Sequence, residues 1–172
     1  GGKTWTFKLR SGVKYSNGDT LSATDVVNTF NYYLDPKTVS QEKNRIDMVQ
    51  TVTAVNPTTV RFRLKTANAL FPTAIINVKI VKTNDLANFS KNPITTGPYK
   101  VDSFVPDSTV TLVPNPGYFG AKAKLSKIEI VKASSNANPD VAVNAARKLV
   151  EQDKVDILVG PLSGGEGIAI KD

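Results

Sequence analysis

The hydrophobic period of this chain changes along its length, and that change limits the fold more than any other feature. Residues Thr4 to Arg10 alternate strictly, with Trp5, Phe7 and Leu9 on one side and Thr4, Thr6, Lys8 and Arg10 on the other. Alternation of this kind marks a strand with one buried face. Val49 to Val55 and Val60 to Leu64 give two more strands around Asn56-Pro57-Thr58-Thr59, a hairpin. Tyr99 to Phe104 and Thr109 to Pro114 give a second hairpin, with Pro106-Asp107-Ser108 at its turn. The last third differs. Lys127 to Val131 reads as a strand, and Val155 to Val159, apolar but for Asp156, reads as a strand of the kind found in parallel sheets covered on both faces. The expected fold class is mixed α/β: antiparallel hairpins first, then a right-handed βαβ unit from Lys127 to Val159.

Two capped helices and one short apolar helix are expected between these strands. Ser22 is placed as an N-cap, with Asp25 three residues on completing a capping box and Leu21 and Val26 spaced as a hydrophobic staple. Val26, Val27, Phe30, Tyr33 and Leu34 make the apolar face, and Asp35-Pro36 ends the helix. Asn138-Pro139-Asp140 opens the second helix, with Asn as cap, Pro in the first helical position and an acid at the positive dipole end. Its buried stripe is expected to be Ala142, Ala145, Ala146, Leu149 and Val150. Leu70 to Val78 reads as a short apolar helix and Lys82 to Asn92 as loop. Ser16-Asn17-Gly18-Asp19 and Asn115-Pro116-Gly117-Tyr118 read as turns. Gly12 and Gly97 are expected to serve positive φ.

Composition removes several kinds of chemistry. The chain has no cysteine and no histidine, so it carries no thiolate nucleophile, disulfide, Cys/His zinc site or Ser-His-Asp triad of its own. The carboxylates Asp19, Asp25, Asp35 and Asp47 show no spacing that marks an acid–base pair. No cofactor, metal site or catalytic residue is expected, and the reading is of a protein that is not an enzyme. The formal charge is +7, but the 22 Lys and Arg are scattered. Lys122, Lys124 and Lys127 form the one mild cluster, and no aromatic residues interleave with it as in single-strand binders. Nucleic acid is therefore not an expected partner. No apolar run approaches the roughly 20 residues of a membrane span. Gly1 runs straight into the first strand pattern, so a secreted origin would require an earlier segment. The final residues, Ile168 to Asp172, break off inside an expected helix.

Three stretches resemble one known family. Trp5 to Arg10 with Gly12-Val13-Lys14-Tyr15-Ser16-Asn17-Gly18 and Leu21 to Val27 is similar to the signature of the dipeptide/oligopeptide/nickel class of solute-binding proteins that serve ABC importers. Asn92-Pro93-Ile94-Thr95-Thr96-Gly97-Pro98-Tyr99 resembles that class's second hallmark, and Asn115-Pro116-Gly117-Tyr118-Phe119 its third turn. The tail resembles a different class. Asn138 to Ala142, Ala145 to Val150 and Val155 to Pro161 are similar to the first lobe of branched-chain amino-acid-binding receptors. The resemblances imply a periplasmic-binding-protein-like lobe in two parts. Residues 1–126 would be a partial first lobe of the peptide class, and residues 127–172 a βαβ segment of the amino-acid class, in a fragment or hybrid.

That likeness implies the substrate-binding component of an ABC importer, periplasmic or otherwise extracytoplasmic, which captures a peptide or amino acid and delivers it to a membrane permease. The other readings are a scaffold or engineered fragment with no ligand of its own, and an enzyme. Ser163, Gly164 and Gly165 match the place where the amino-acid class holds the ligand's carboxylate and amine, and N–H groups at a helix start suit an anion. Ser40 and Gln41, in the loop after Asp35-Pro36, match a stretch that borders the ligand in some relatives.

Overall fold

The computed structural model describes residues 2–40, 42–86 and 93–160. The alternating segment forms β1 (Thr4–Lys8). The capped segment forms α1 (Ala23–Leu34), a single turn forms α2 (Lys43–Ile46), and the first hairpin forms β2 (Val49–Asn56) and β3 (Thr59–Leu64). These three strands make one antiparallel sheet in the order β1-β3-β2. Trp5 pairs with Phe62 and Phe7 with Val60, while Thr4 pairs with Arg63 and Thr6 with Arg61. The register therefore sorts apolar residues to one face and polar residues to the other, as a period of two requires.

α1 packs on β2 and β3. Its Ala23, Val26 and Phe30 meet Val52, Val60, Phe62 and Leu64 in a core closed by Ile46, Val49 and Phe71. Phe62 is the centre of an aromatic cluster. Its ring lies 4.8 Å from Phe30, 5.2 Å from Phe71 and 5.7 Å from Phe7, in tilted and edge-on arrangements that suit the ring quadrupole. The α2 turn was not anticipated. It exists because Ile46, fully buried, fills the end of this core.

Ser22 caps α1 from an extended conformation, in a capping box with Asp25. The Ser22 N–H donates to Asp25 Oδ2 at 2.9 Å and the Ser22 hydroxyl to the same oxygen at 3.0 Å. Ser22→Ala is expected to lower stability by about 0.5–2 kcal/mol. Urea melts at pH 7 would show this as a lower midpoint at unchanged slope; an unchanged midpoint would mean that Asp25 alone holds the helix start.

The chain divides into two compact units: residues up to 100 with 114–124, and residues 101–113 with those from 125 onward. The second unit contains most of β4 (Tyr99–Val105), β5 (Thr109–Pro114) and β6 (Ile128–Val131), in the order β4-β5-β6 with β5 and β6 antiparallel. It also contains α4 (Pro139–Glu151). Asn138 caps α4 as expected, its side chain accepting from the N–H groups of Asp140 and Val141 at 2.9 and 3.2 Å.

The mixed α/β class and the antiparallel hairpins appear as read from the sequence. Four local expectations do not. Val155 to Val159 forms no strand, so the strand–helix–strand unit stops at its helix. The Val155 N–H instead donates to Leu149 O around a left-handed Lys154, closing the end of α4. Ile157 and Val159 are 80% and 89% exposed, so the segment lacks the two-sided cover that stabilises a parallel strand. Within the α4 stripe only Ala142 and Ala146 are buried, and Val150 is half exposed. The helix expected over Leu70 to Val78 is one turn, α3 (Phe71–Ala74), because β-branched Ile75 and Ile76 and then Asn77 are poor at prolonging it. Gly12 does take positive φ, but Gly97 does not.

Candidate functional site

The residues that carry the family resemblance lie far apart in sequence and meet in the first unit. The Ser16 N–H donates to Thr95 O at 2.7 Å, and the Thr95 N–H to Ser16 Oγ at 3.3 Å. The first and second motifs are thus joined. The third joins the second through Asn115, a buried side chain whose Nδ2 donates to Gly97 O at 2.9 Å while its backbone N–H donates to Pro98 O at 2.9 Å. Asn115 Oδ1 also accepts from the Gly117 N–H at 3.1 Å, which fixes the turn. The third returns to the first where the Arg10 guanidinium sits 5.1 Å over the Phe119 ring, a cation–π contact.

The local chemistry explains these residue types. Pro93 and Pro98 have no N–H to give a ladder, so the segment between them is held by single bonds to distant groups: its carbonyls accept from Ser16 and Asn115, and its Ile94 and Thr95 N–H groups donate to Asp85 and Ser16. An Asn amide can donate to one segment and accept from another, which is what Asn115 does. Gly97 serves this junction through its carbonyl rather than through positive φ.

A second network fixes α1 to the segment after α3. Asp25 Oδ1 accepts from both the N–H and the hydroxyl of Thr83, at 3.0 and 2.8 Å. Asn28 Nδ2 donates to Thr83 Oγ1 at 3.0 Å. The fully buried Thr29 hydroxyl accepts from the Val81 N–H at 3.0 Å and donates to Val81 O at 3.1 Å. Lys82 reaches Asp19 at 2.9 Å. Asp85 Oδ2 accepts from the Ile94 N–H at 3.0 Å, linking this network to the second motif. Burial alone would raise the Asp25 carboxyl, but the hydrogen bonds from Ser22 and Thr83 outweigh it and hold the carboxyl below the usual carboxylate range. Burial first, and then the Asp25 charge, push the enclosed Tyr15 hydroxyl up.

The Asp25 shift sets a pH dependence. A carboxyl whose folded value is depressed stabilises the fold fully above its unfolded value near 4, and loses that contribution as pH falls through the folded value. Urea midpoints should fall as the pH drops below about 4, and Asp25→Asn should flatten that fall while lowering stability at neutral pH. An acid profile of the variant parallel to that of the wild type would place the acid sensitivity elsewhere.

The arrangement is a set of interlocks, not an acid–base pair. Asp19 is engaged by Lys82, Asp25 by Ser22 and Thr83, and Asp35 Oδ1 by the Lys37 N–H at 2.8 Å. Among the described residues no cluster of acidic side chains has metal-ligand geometry. Of the residues read as ligand-bearing, Gln41, Ser163, Gly164 and Gly165 lie outside the described residues. Ser40 is half-buried, and its Oγ accepts from the Glu42 N–H at 3.2 Å in a local turn. Sequence reading did not reach Asn28, Thr29 or Thr83. Their partners lie more than fifty residues away in every case, and no local pattern announces such a pairing.

Comparisons with known proteins agree with this reading of the motifs. The relatives include the oligopeptide-binding protein OppA of Bacillus subtilis, 32% identical over 161 residues that take in 78% of this chain and 29% of that protein. The nickel-binding periplasmic protein of Escherichia coli is 29% identical over 167 residues, 92% of this chain and 30% of that protein. Among solved structures, AppA of Bacillus subtilis in complex with a nonapeptide superposes with a TM-score of 0.75 at 26% identity, over 89% of this chain and 32% of that one. NikZ of Campylobacter jejuni in complex with Ni(L-His) has the same fold, with a TM-score of 0.76 at 24% identity over 90% of this chain and 31% of that one. The chain thus spans about 30% of the length of the relatives it matches. The model of the bacterial extracellular solute-binding proteins, family 5 Middle, matches residues 1–163 and so runs through the tail that resembled another class. With the match taking in both units and all three motifs, the chain belongs to the bacterial extracellular solute-binding proteins of family 5.

Proposed function

We propose that this chain is part of the first lobe of the substrate-binding component of an ABC importer, which captures a small solute outside the cytoplasm and passes it to a membrane permease. The observation that carries the proposal is the junction of the three motifs, built from family-typical residues within a family match that extends to residue 163. That extent favours one continuous family 5 lobe, with residues 1–126 its larger part, over a join to an amino-acid-class segment at 127. Peptides head the candidate ligands, followed by nickel chelates and free amino acids, since the relatives named above are oligopeptide- and nickel-binding proteins. Ser163, Gly164 and Gly165 are the proposed anion contacts, and Ser40 and Gln41 the proposed border of the ligand.

Pockets of this kind enclose most of the ligand surface, and a chain that spans a third or less of its relatives offers one wall of such an enclosure. Titration calorimetry with leucine, isoleucine, valine, di- to pentapeptides and nickel–histidine tests the proposal. A complete receptor carrying this chain is expected to bind at least one of these saturably, and the 172-residue chain to bind all of them far more weakly. Peptidase or esterase turnover by the complete receptor, with no saturable ligand, would overturn it.

A further inference from the structure

The outer face of the first sheet has a chemical character that neither the core nor the motif junction uses. β1, β2 and β3 contain no Asp or Glu. The pairing sets Arg63 between Thr4 and Thr51, and Arg61 between Thr6 and Thr53. Two Thr-Arg-Thr rows therefore run across the sheet, about 7 Å apart along the strand. Lys3 joins Thr4, Thr51, Thr53, Arg61 and Arg63 in lining a shallow open groove on this face, and Lys8 extends the basic row at the end of β1. All of these side chains are exposed. Among the described residues no ion pair engages Lys3, Lys8, Arg61 or Arg63. The cations elsewhere in the first unit are not arranged in this way: Lys82, for example, is already paired with Asp19.

We propose that this face docks on the phosphate groups of an anionic membrane surface. Four positive side chains with no acidic neighbour in the sheet are complementary to a polyanion. The guanidiniums make forked hydrogen bonds to phosphate, and the hydroxyls of Thr4, Thr6 and Thr51 add neutral donors, while that of Thr53 donates to Arg61 O within the sheet. The surroundings narrow the choice of polyanion. Specific protein interfaces have cores rich in aromatic residues, and single-stranded nucleic acids are held by stacking on aromatic platforms. This face has no aromatic side chain, and its one apolar residue is Val55 near the hairpin end. A flat, purely ionic face suits a flat, purely ionic partner. An extracytoplasmic binding protein working beside a permease meets such a surface in the lipid bilayer; that choice of source rests on the proposed function.

Each basic residue near an anionic leaflet is worth about 1 kcal/mol, or roughly fivefold in partitioning. Sedimentation with phosphatidylcholine vesicles, with and without phosphatidylglycerol, gives the readout. The wild-type chain is expected to sediment only with the anionic vesicles, and to be released as salt rises toward 1 M, where screening shortens to about 3 Å. The double variant Arg61→Gln/Arg63→Gln should bind about 25-fold more weakly. Lys122→Gln/Lys124→Gln, which removes the same net charge from exposed positions off this sheet, should bind as the wild type does. Should the arginine variant lose its cooperative unfolding transition, Lys3→Gln/Lys8→Gln makes the same test from the rim of the face. Equal weakening by the two charge-matched variants would reduce the effect to net charge and overturn the proposal. So would an absence of wild-type binding to anionic vesicles, or binding of an oligonucleotide or polyglutamate in its place. Because the vesicles carry no solute, these outcomes do not depend on whether the receptor's ligand has been found.

Discussion

Phe62→Ala is expected to lower the unfolding free energy by about 3–5 kcal/mol, the largest effect of any single truncation in the first unit. The residue is 2% exposed. Its ring touches the rings of Phe7 on β1, Phe30 on α1 and Phe71 on α3. Those three belong to separate elements, so a cavity at Phe62 cannot be closed by moving one of them alone. Removing the ring forfeits its transfer free energy and its contacts with every layer at once. Guanidinium melts read by Trp5 fluorescence give the measurement, since Trp5 lies in the same cluster, 6.2 Å from Phe71. Phe62→Leu, which keeps most of the volume, should lose much less. If the alanine variant lost no more than the leucine variant, the cluster would not be the keystone of the core.

Thr29→Val is expected to cost roughly 2–4 kcal/mol although it changes the side-chain volume little, because both Val81 backbone groups are left buried without a partner. The Thr29 hydroxyl serves the N–H and the carbonyl of Val81 at once, and Val81 is itself buried. Hydration cannot replace these bonds without opening the contact between α1 and the segment after α3. Thr29→Ser keeps the hydroxyl and removes one methyl, so it should lose only about 1 kcal/mol. Denaturant midpoints of the two variants would separate the hydrogen-bonding role from the packing role. Equal losses would show that the methyl contributes as much as the hydroxyl, and a loss in Thr29→Ser alone that the methyl, not the hydroxyl, holds the segment. The same pair bears on the motif junction, since the segment after α3 leads through Asp85 and the Ile94 N–H into the second motif.

The residues that placed the chain in its family were legible because each motif is local. Asn115-Pro116-Gly117-Tyr118 encodes a turn whatever surrounds it, and Ser22 to Asp25 encodes a helix start, since cap and acid are three residues apart. What these motifs do together was not legible. Ser16 meeting Thr95, or Asn115 meeting Gly97, is a long-range hydrogen bond with no periodic signature. The sequence reading of Gly97 failed for that reason, taking as a demand for positive φ what is a carbonyl offered to a distant amide.

Sequence alone determined the strands of the first sheet, their buried faces and the two capped helices, because a period of two and a cap at a helix start are properties of a few consecutive residues. Trp5 and Phe7 face inward because their neighbours are Thr4, Thr6 and Lys8, and the pleat allows no other sorting. Tertiary structure decided everything that depends on cover. Ile46 drew an unanticipated helical turn from residues 43–46 because the core had a place for it. Val155 to Val159, apolar but for Asp156, formed no strand because among the described residues no layer lies over Ile157 and Val159. An apolar run states only that burial would stabilise it. Whether it is buried, and so whether it becomes a strand, is settled by the chain that packs against it.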